Sequence, residues 1–175
     1  MAENIDKKGF YQSAMYHGTL LGVVWCVMYV MLIAGSSNLM MLLISSSLGI
    51  ASPFIAAYFA KKYRREVCGN IIPYPRALLY LIIMYLCATL LSTVILFIYI
   101  NYIDDGSFMN ILHESIAILQ DTPGVDKYTA ALLEEISVMF QKMGPSDFVW
   151  QIMDGNISNS IILPLIIAIF VRKNK

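Results

Sequence analysis

Side chains suited to acid–base, nucleophilic or metal chemistry are few and scattered in this chain, with two histidines and three cysteines among 175 residues. His113-Glu114 is the one adjacent His–acid pair, and no second histidine follows a helical turn later to complete an H-E-x-x-H zinc site. Cys26, Cys68 and Cys87 are far apart and form no Cys/His cluster at metal-ligand spacing. No G-x-S-x-G elbow, phosphate-binding loop or dinucleotide fingerprint occurs. Neither an enzyme activity nor a cofactor or metal is expected.

His17 draws interest for a different reason. It is the only Asp, Glu, Lys, Arg or His between Gly9 and Ala60. An ionisable group inside a membrane span is a functional candidate by default. Close to the start of that run and beside Tyr16, a neutral imidazole can also reach interfacial water, and the structural reading is preferred. With no embedded carboxylate or lysine, the chain is unlike small exporters that couple transport to a buried acid.

The elements that must hold these residues follow from composition. Hydrophobic residues make up 58% of the chain and charged residues only 14%; the mean hydropathy is +0.66. A domain of this length cannot hide that much apolar surface from water, and a bilayer removes the difficulty. Uncharged runs cover Gly9–Ala60, Ala77–Ile103 and Gly155–Val171. The first is long enough for two helices of about 20 residues, divided at the helix-breaking Gly35-Ser36-Ser37-Asn38. The reading is four spans at about 13–34, 39–60, 77–99 and 156–171. The last, at roughly 24 Å, is short for a bilayer unless it recruits residues from Phe148–Met153.

Charge sets the orientation. Lys7, Lys8, Lys61, Lys62, Arg64, Arg65, Arg76, Arg172, Lys173 and Lys175 fall on one side of such a bundle, and only Lys127 and Lys142 fall on the other. The positive-inside rule places the first group, and both ends of the sequence, in the cytoplasm of a bacterial inner membrane. The apolar stretch 13–34 is longer than the core of a cleaved signal peptide, so a retained first span is expected. Lys61, Lys62, Arg64, Arg65 and Arg76 serve topology and attraction to anionic headgroups. A loop this small offers no surface for nucleic acid.

Residues 101–155 form the only sizeable segment outside the spans. Phe108, Ile111, Leu112, Ser115, Ile116 and Leu119 repeat at helical spacing, and Thr122-Pro123-Gly124 stops that helix. A second helix from near Val125 carries Tyr128, Leu132, Ile136, Met139, Phe140 and Met143, with Glu134, Glu135 and Lys142 read as lying away from the stripe. Gly144-Pro145 ends it, and Ser146-Asp147 caps a short third piece. Tyr128, Leu132, Ile136 and Phe140 either close the connection between spans three and four or dock a partner. The expected fold is an all-α membrane four-helix bundle in one domain, 1–175, with an extracytoplasmic amphipathic insertion.

Small residues point to close helix contacts. Gly18-x-x-x-Gly22, Ser45-x-x-x-Gly49 and Ala56-x-x-x-Ala60 are spacings that let backbones approach. Packing within the bundle is preferred over a homo-oligomer. Pro53 and Pro164 remove backbone donors inside spans two and four and loosen them.

Several short motifs follow one another along the chain: Ser52-Pro53-Phe54, then Lys61-Lys62-Tyr63-Arg64-Arg65-Glu66-Val67-Cys68-Gly69, Ile72-Pro73-Tyr74-Pro75-Arg76-Ala77 and Tyr102-Ile103-Asp104-Asp105-Gly106. In order and spacing the chain resembles domain-of-unknown-function family 4199, small four-span membrane proteins of Bacteroidota. Pro73 and Pro75, flanking Tyr74, depart locally from the pattern at the start of span three. The resemblance implies architecture and lineage and assigns no activity. Three function classes remain. The first is a protein acting through contacts with lipids and a membrane partner, as a subunit, adaptor or assembly factor. The second is a small oligomeric channel or carrier. The third is an intramembrane enzyme, which would have to gather His17, Asn38, Asn101 and Asn159 into a polar cluster.

Overall fold

The structure, a computed structural model, describes residues 2–35, 38–104, 110 and 127–173. Among them run five helices: α1 (Ala2–Ala34), α2 (Leu39–Glu66), α3 (Tyr74–Tyr102), α4 (Lys127–Lys142) and α5 (Pro145–Val171). Four contain segments long and apolar enough to cross a bilayer, at Gly9–Ile33, Met40–Glu66, Tyr74–Tyr102 and Pro145–Val171. The protein is therefore an all-α, multi-pass membrane protein. The helix read over 108–119, its stop at Thr122-Pro123-Gly124 and the His113-Glu114 pair lie outside the described residues.

Each spanning helix extends past an end of the uncharged run that announced it. Charged residues at the ends of a span can stay helical while their long side chains reach water. α2 accordingly continues through Lys61, Lys62, Arg64 and Arg65. The largest difference is at α5. Of the readings open for the short fourth span, recruitment of residues 148–153 is the one found, and the short third piece is not separate: one uninterrupted helix of 27 residues runs from Pro145 to Val171. At 1.5 Å per residue it is about 40 Å long, so the short-span difficulty disappears. Pro145 occupies the first helical position, where a missing N–H costs nothing. Asp147 reaches back to accept the Gly144 N–H at 2.9 Å, a cap that starts the helix at this point.

Between α1 and α2 the chain turns on Gly35 and Asn38. The Asn38 side chain accepts the Met40 N–H at 3.0 Å, and its own N–H bonds the Gly35 carbonyl at 3.0 Å. This is an N-cap on extended backbone, and it supplies one of the missing acceptors at a helix end with unpaired N–H donors.

The chain divides into two compact units, Met1–Ile95 with Ile152–Lys175, and Leu96–Gln151. In the first, α3 is the most buried span and α2 the least. Ala77, Tyr80, Leu81, Met84, Tyr85 and Ala88 are fully buried at three- and four-residue spacing along α3. In the second unit Leu96, Ile100 and Val149 are buried, and Ser146 donates to the Asn101 side-chain carbonyl at 2.9 Å.

Candidate functional site

The small-residue motif of α1 lies against α3. A Cβ at Gly18 would stand 2.6 Å from the Met84 carbonyl oxygen and 2.7 Å from Cys87 Cβ; one at Gly22 would stand 3.0 Å from Leu91 Cδ2 and 3.1 Å from Ala88 Cα. Only the missing side chains allow the two backbones this close. On α2, Ser45 donates to the Met28 carbonyl at 3.0 Å, and a Cβ at Gly49 would meet Met28 Sδ at 3.5 Å. Ala56 and Ala60 are buried. All six residues thus face neighbours inside the first unit.

The polar side chains of the same unit bond mostly across helices. His17, 8% exposed, places Nδ1 2.5 Å from the Tyr80 hydroxyl. Its ring stacks on Phe59 at 4.8 Å between centroids. Tyr80 in turn stacks on Tyr63 at 4.3 Å, and the Phe10 ring stands edge-on to both. Trp25 Nε1 donates to Ser52 Oγ at 2.7 Å, Thr89 and Ser160 hydroxyls are 3.1 Å apart, and Asn156 Nδ2 donates to the Tyr29 hydroxyl at 2.7 Å. In an apolar surround such bonds fix the rotation and register of one helix against the next. The sequence singled out His17 but not Tyr80, Ser52, Ser160 or Tyr29. Spacing cannot reveal a bond whose ends are 63 residues apart, as His17 and Tyr80 are.

The residues named for a hidden polar cluster have separate surroundings. Asn38 caps α2, Asn101 donates to the Phe97 carbonyl at 3.0 Å within the second unit, and Asn159 is exposed. Among the described residues no group of three or more His, Cys, Asp or Glu could hold a metal ion.

A clasp forms where the basic residues gather. Past the end of α2 the chain reverses on Gly69 and Asn70, both left-handed at φ +57° and +65°. The Asn70 N–H bonds back to the Arg64 carbonyl at 2.9 Å. Ile72 and Lys173 then exchange both backbone hydrogen bonds at 3.1 Å. Arg64 Nη1 donates to the Val171 carbonyl at 2.7 Å, which satisfies one of the open acceptors at the end of α5 and puts a cation at its negative pole. Arg76 lies with its guanidinium carbon 5.6 Å from the centre of the Phe10 ring. Lys62 and Arg65 are exposed, and Lys61 is half-buried.

α4 is exposed around most of its circumference. Tyr128 (73%), Leu132 (40%), Ile136 (38%) and Met139 (48%) stand open, and Leu133 and Ser137 are its least exposed described side chains. The side chain of Phe140 lies outside the described residues. One sequence reading needs correction here. Glu135 comes three residues after Leu132 and four before Met139, so on a helix it shares their face and interrupts the stripe.

No curated protein and no solved structure matches the chain. A family profile does, over residues 16–173, which takes in the glycine motif, His17, the basic loop, the clasp and all of α5. The protein belongs to the family described as "Protein of unknown function (DUF4199)".

Proposed function

We propose that the protein resides in a bacterial inner membrane with both ends of this sequence in the cytoplasm and residues 101–155 outside, and that it acts through contact with another membrane protein, as a subunit, adaptor or assembly factor. The α4 surface carries this reading. Tyr128, Leu132, Ile136 and Met139 are open apolar side chains, with Glu135 among them, on an amphipathic helix outside the spans. Uncovered apolar area of this kind is removed from water by association. Within the spans, by contrast, His17, Trp25, Tyr29, Thr89 and Ser160 already bond to neighbours. The orientation is supported by the side-by-side placement of the α2–α3 loop and Lys173, which gathers basic residues at one end.

A photo-crosslinking amino acid at Leu132 or Ile136 tests the reading in intact cells, with the exposed Ile50 of α2 as the comparison. The expected result is one protein adduct at the α4 positions, abolished by Tyr128→Lys and absent at position 50. Lipid adducts alone at all three positions would place α4 on the membrane surface and end the partner reading. Solute flux through the purified chain in proteoliposomes would favour a channel or carrier instead.

A further inference from the structure

The clasp does more than tie the chain to itself. Lys61, Arg64 and Arg65 are three and four residues apart and so share one face of α2. Arg64 touches the end of α5 through the Val171 carbonyl at 2.7 Å, and Arg172 and Lys173 follow directly. Two basic segments separated by more than half the chain therefore meet at one corner of the first unit. Arg64 is occupied in making the junction. Lys61 is half-buried, and Arg65, Arg172 and Lys173 are exposed, with Glu66 as the one carboxylate in the adjoining stretch.

Within about a turn before these basic residues, both helices carry exposed apolar side chains. Tyr58 of α2 is 58% exposed, and Ile169 and Phe170 of α5 are 51% and 70% exposed. A cationic rim set on an apolar wall matches a molecule with an anionic head and hydrocarbon tails. We infer that Lys61, Arg65, Arg172 and Lys173 form a binding site for the headgroup of an anionic phospholipid, whose acyl chains lie along Tyr58, Ile169 and Phe170. The charge complementarity is what selects this occupant. A zwitterionic lipid meets the same wall but gains little from the rim, and free phosphate meets the rim but not the wall. The inference needs only the membrane architecture and holds for either orientation and with or without a protein partner.

Native mass spectrometry of the full chain in mild detergent provides the test, with phosphatidylglycerol and phosphatidylcholine added in equal amounts. The wild-type protein is expected to retain phosphatidylglycerol preferentially. The variants Lys61→Gln/Arg65→Gln and Arg172→Gln/Lys173→Gln should each reduce that preference by about ten-fold or more, since one surface charge changes anionic-lipid binding roughly five-fold. Lys142→Gln, on α4, should leave it unchanged. Lys173→Gln keeps the backbone bonds to Ile72, so the second variant retains the clasp; an unchanged melting midpoint confirms that each variant is folded. If one pair fails to fold, the other decides. Equal retention of the two lipids, or undiminished preference in a folded variant, would overturn the site. So would an equal rise in melting midpoint from inorganic phosphate alone, which would show a phosphate site without a lipid wall.

Discussion

Arg64 reaches across 107 positions of sequence to the carbonyl of Val171, and so joins the end of the second span to the end of the last. The bond is charge-assisted and ends on a helix terminus that otherwise lacks donors. Its loss should be felt in the docking of α5 before anything else.

Arg64→Gln is accordingly expected to lower stability by about 1 kcal/mol, the usual net worth of such a hydrogen bond at a half-exposed position. Arg64→Lys should recover part of it through charge at the helix end, without the reach of the guanidinium. Thermal unfolding of the detergent-solubilised protein measures both. Equal stability of all three forms would show that the bond contributes nothing in solution.

Gly18→Ala places a methyl group 2.6 Å from the backbone of α3, and α1 must move to admit it. Overpacking of this kind costs about 1–3 kcal/mol. Gly155→Ala is the matched comparison, because a Cβ there meets nothing within 4 Å on a helix. It should be neutral or stabilising by up to about 1 kcal/mol. Melting midpoints that fall together would contradict the close approach at Gly18.

For His17 and Tyr80 the informative quantity is a coupling. The single changes His17→Ala and Tyr80→Phe each disturb other contacts as well, since the Tyr80 hydroxyl also lies 3.2 Å from Ser13 Oγ. A double-mutant cycle removes those effects. Hydrogen bonds between membrane helices give couplings averaging about 0.6 and reaching about 1.7 kcal/mol, and this buried pair should fall in the upper half. Strictly additive single changes would mean that the bond is not formed in the native protein.

Topology can be read directly. A reporter fused after Arg65 should register as cytoplasmic, and one placed within 121–127 as extracytoplasmic. Reversal of the two signals would invert the orientation proposed above.

How much of this was legible beforehand differs from residue to residue. The spans were, because the absence of charge over a bilayer's thickness is a property of the chain alone. The start of α5 was not. Asp147 and Asp154 cut the uncharged run short, yet both are exposed on a continuous helix, and Asp147 helps begin it. The Gly18–Gly22 spacing was visible, whereas the α3 surface that fills it depends on how two helices are rotated. Glu135 is set apart from the apolar stripe by its charge, while the helical angle puts it on that face. The clasp left no local trace at all. Ile72 and Lys173 were noted for other reasons, and the backbone bonds that join them follow from no side-chain pattern.

The glycine face of α1 also bears on how the protein is made. The groove over Gly18 and Gly22 is filled by Met84, Cys87, Ala88 and Leu91, all of which are synthesised after α2 is complete. Until α3 is made, the native filling of that notch does not exist, although α2 already supplies Ser52 to Trp25, Ser45 to the Met28 carbonyl and Phe59 to His17. The contacts of α1 therefore become available in two stages of synthesis, those with α2 before those at its glycines. The glycine notch is thus the part of α1 that must wait for α3.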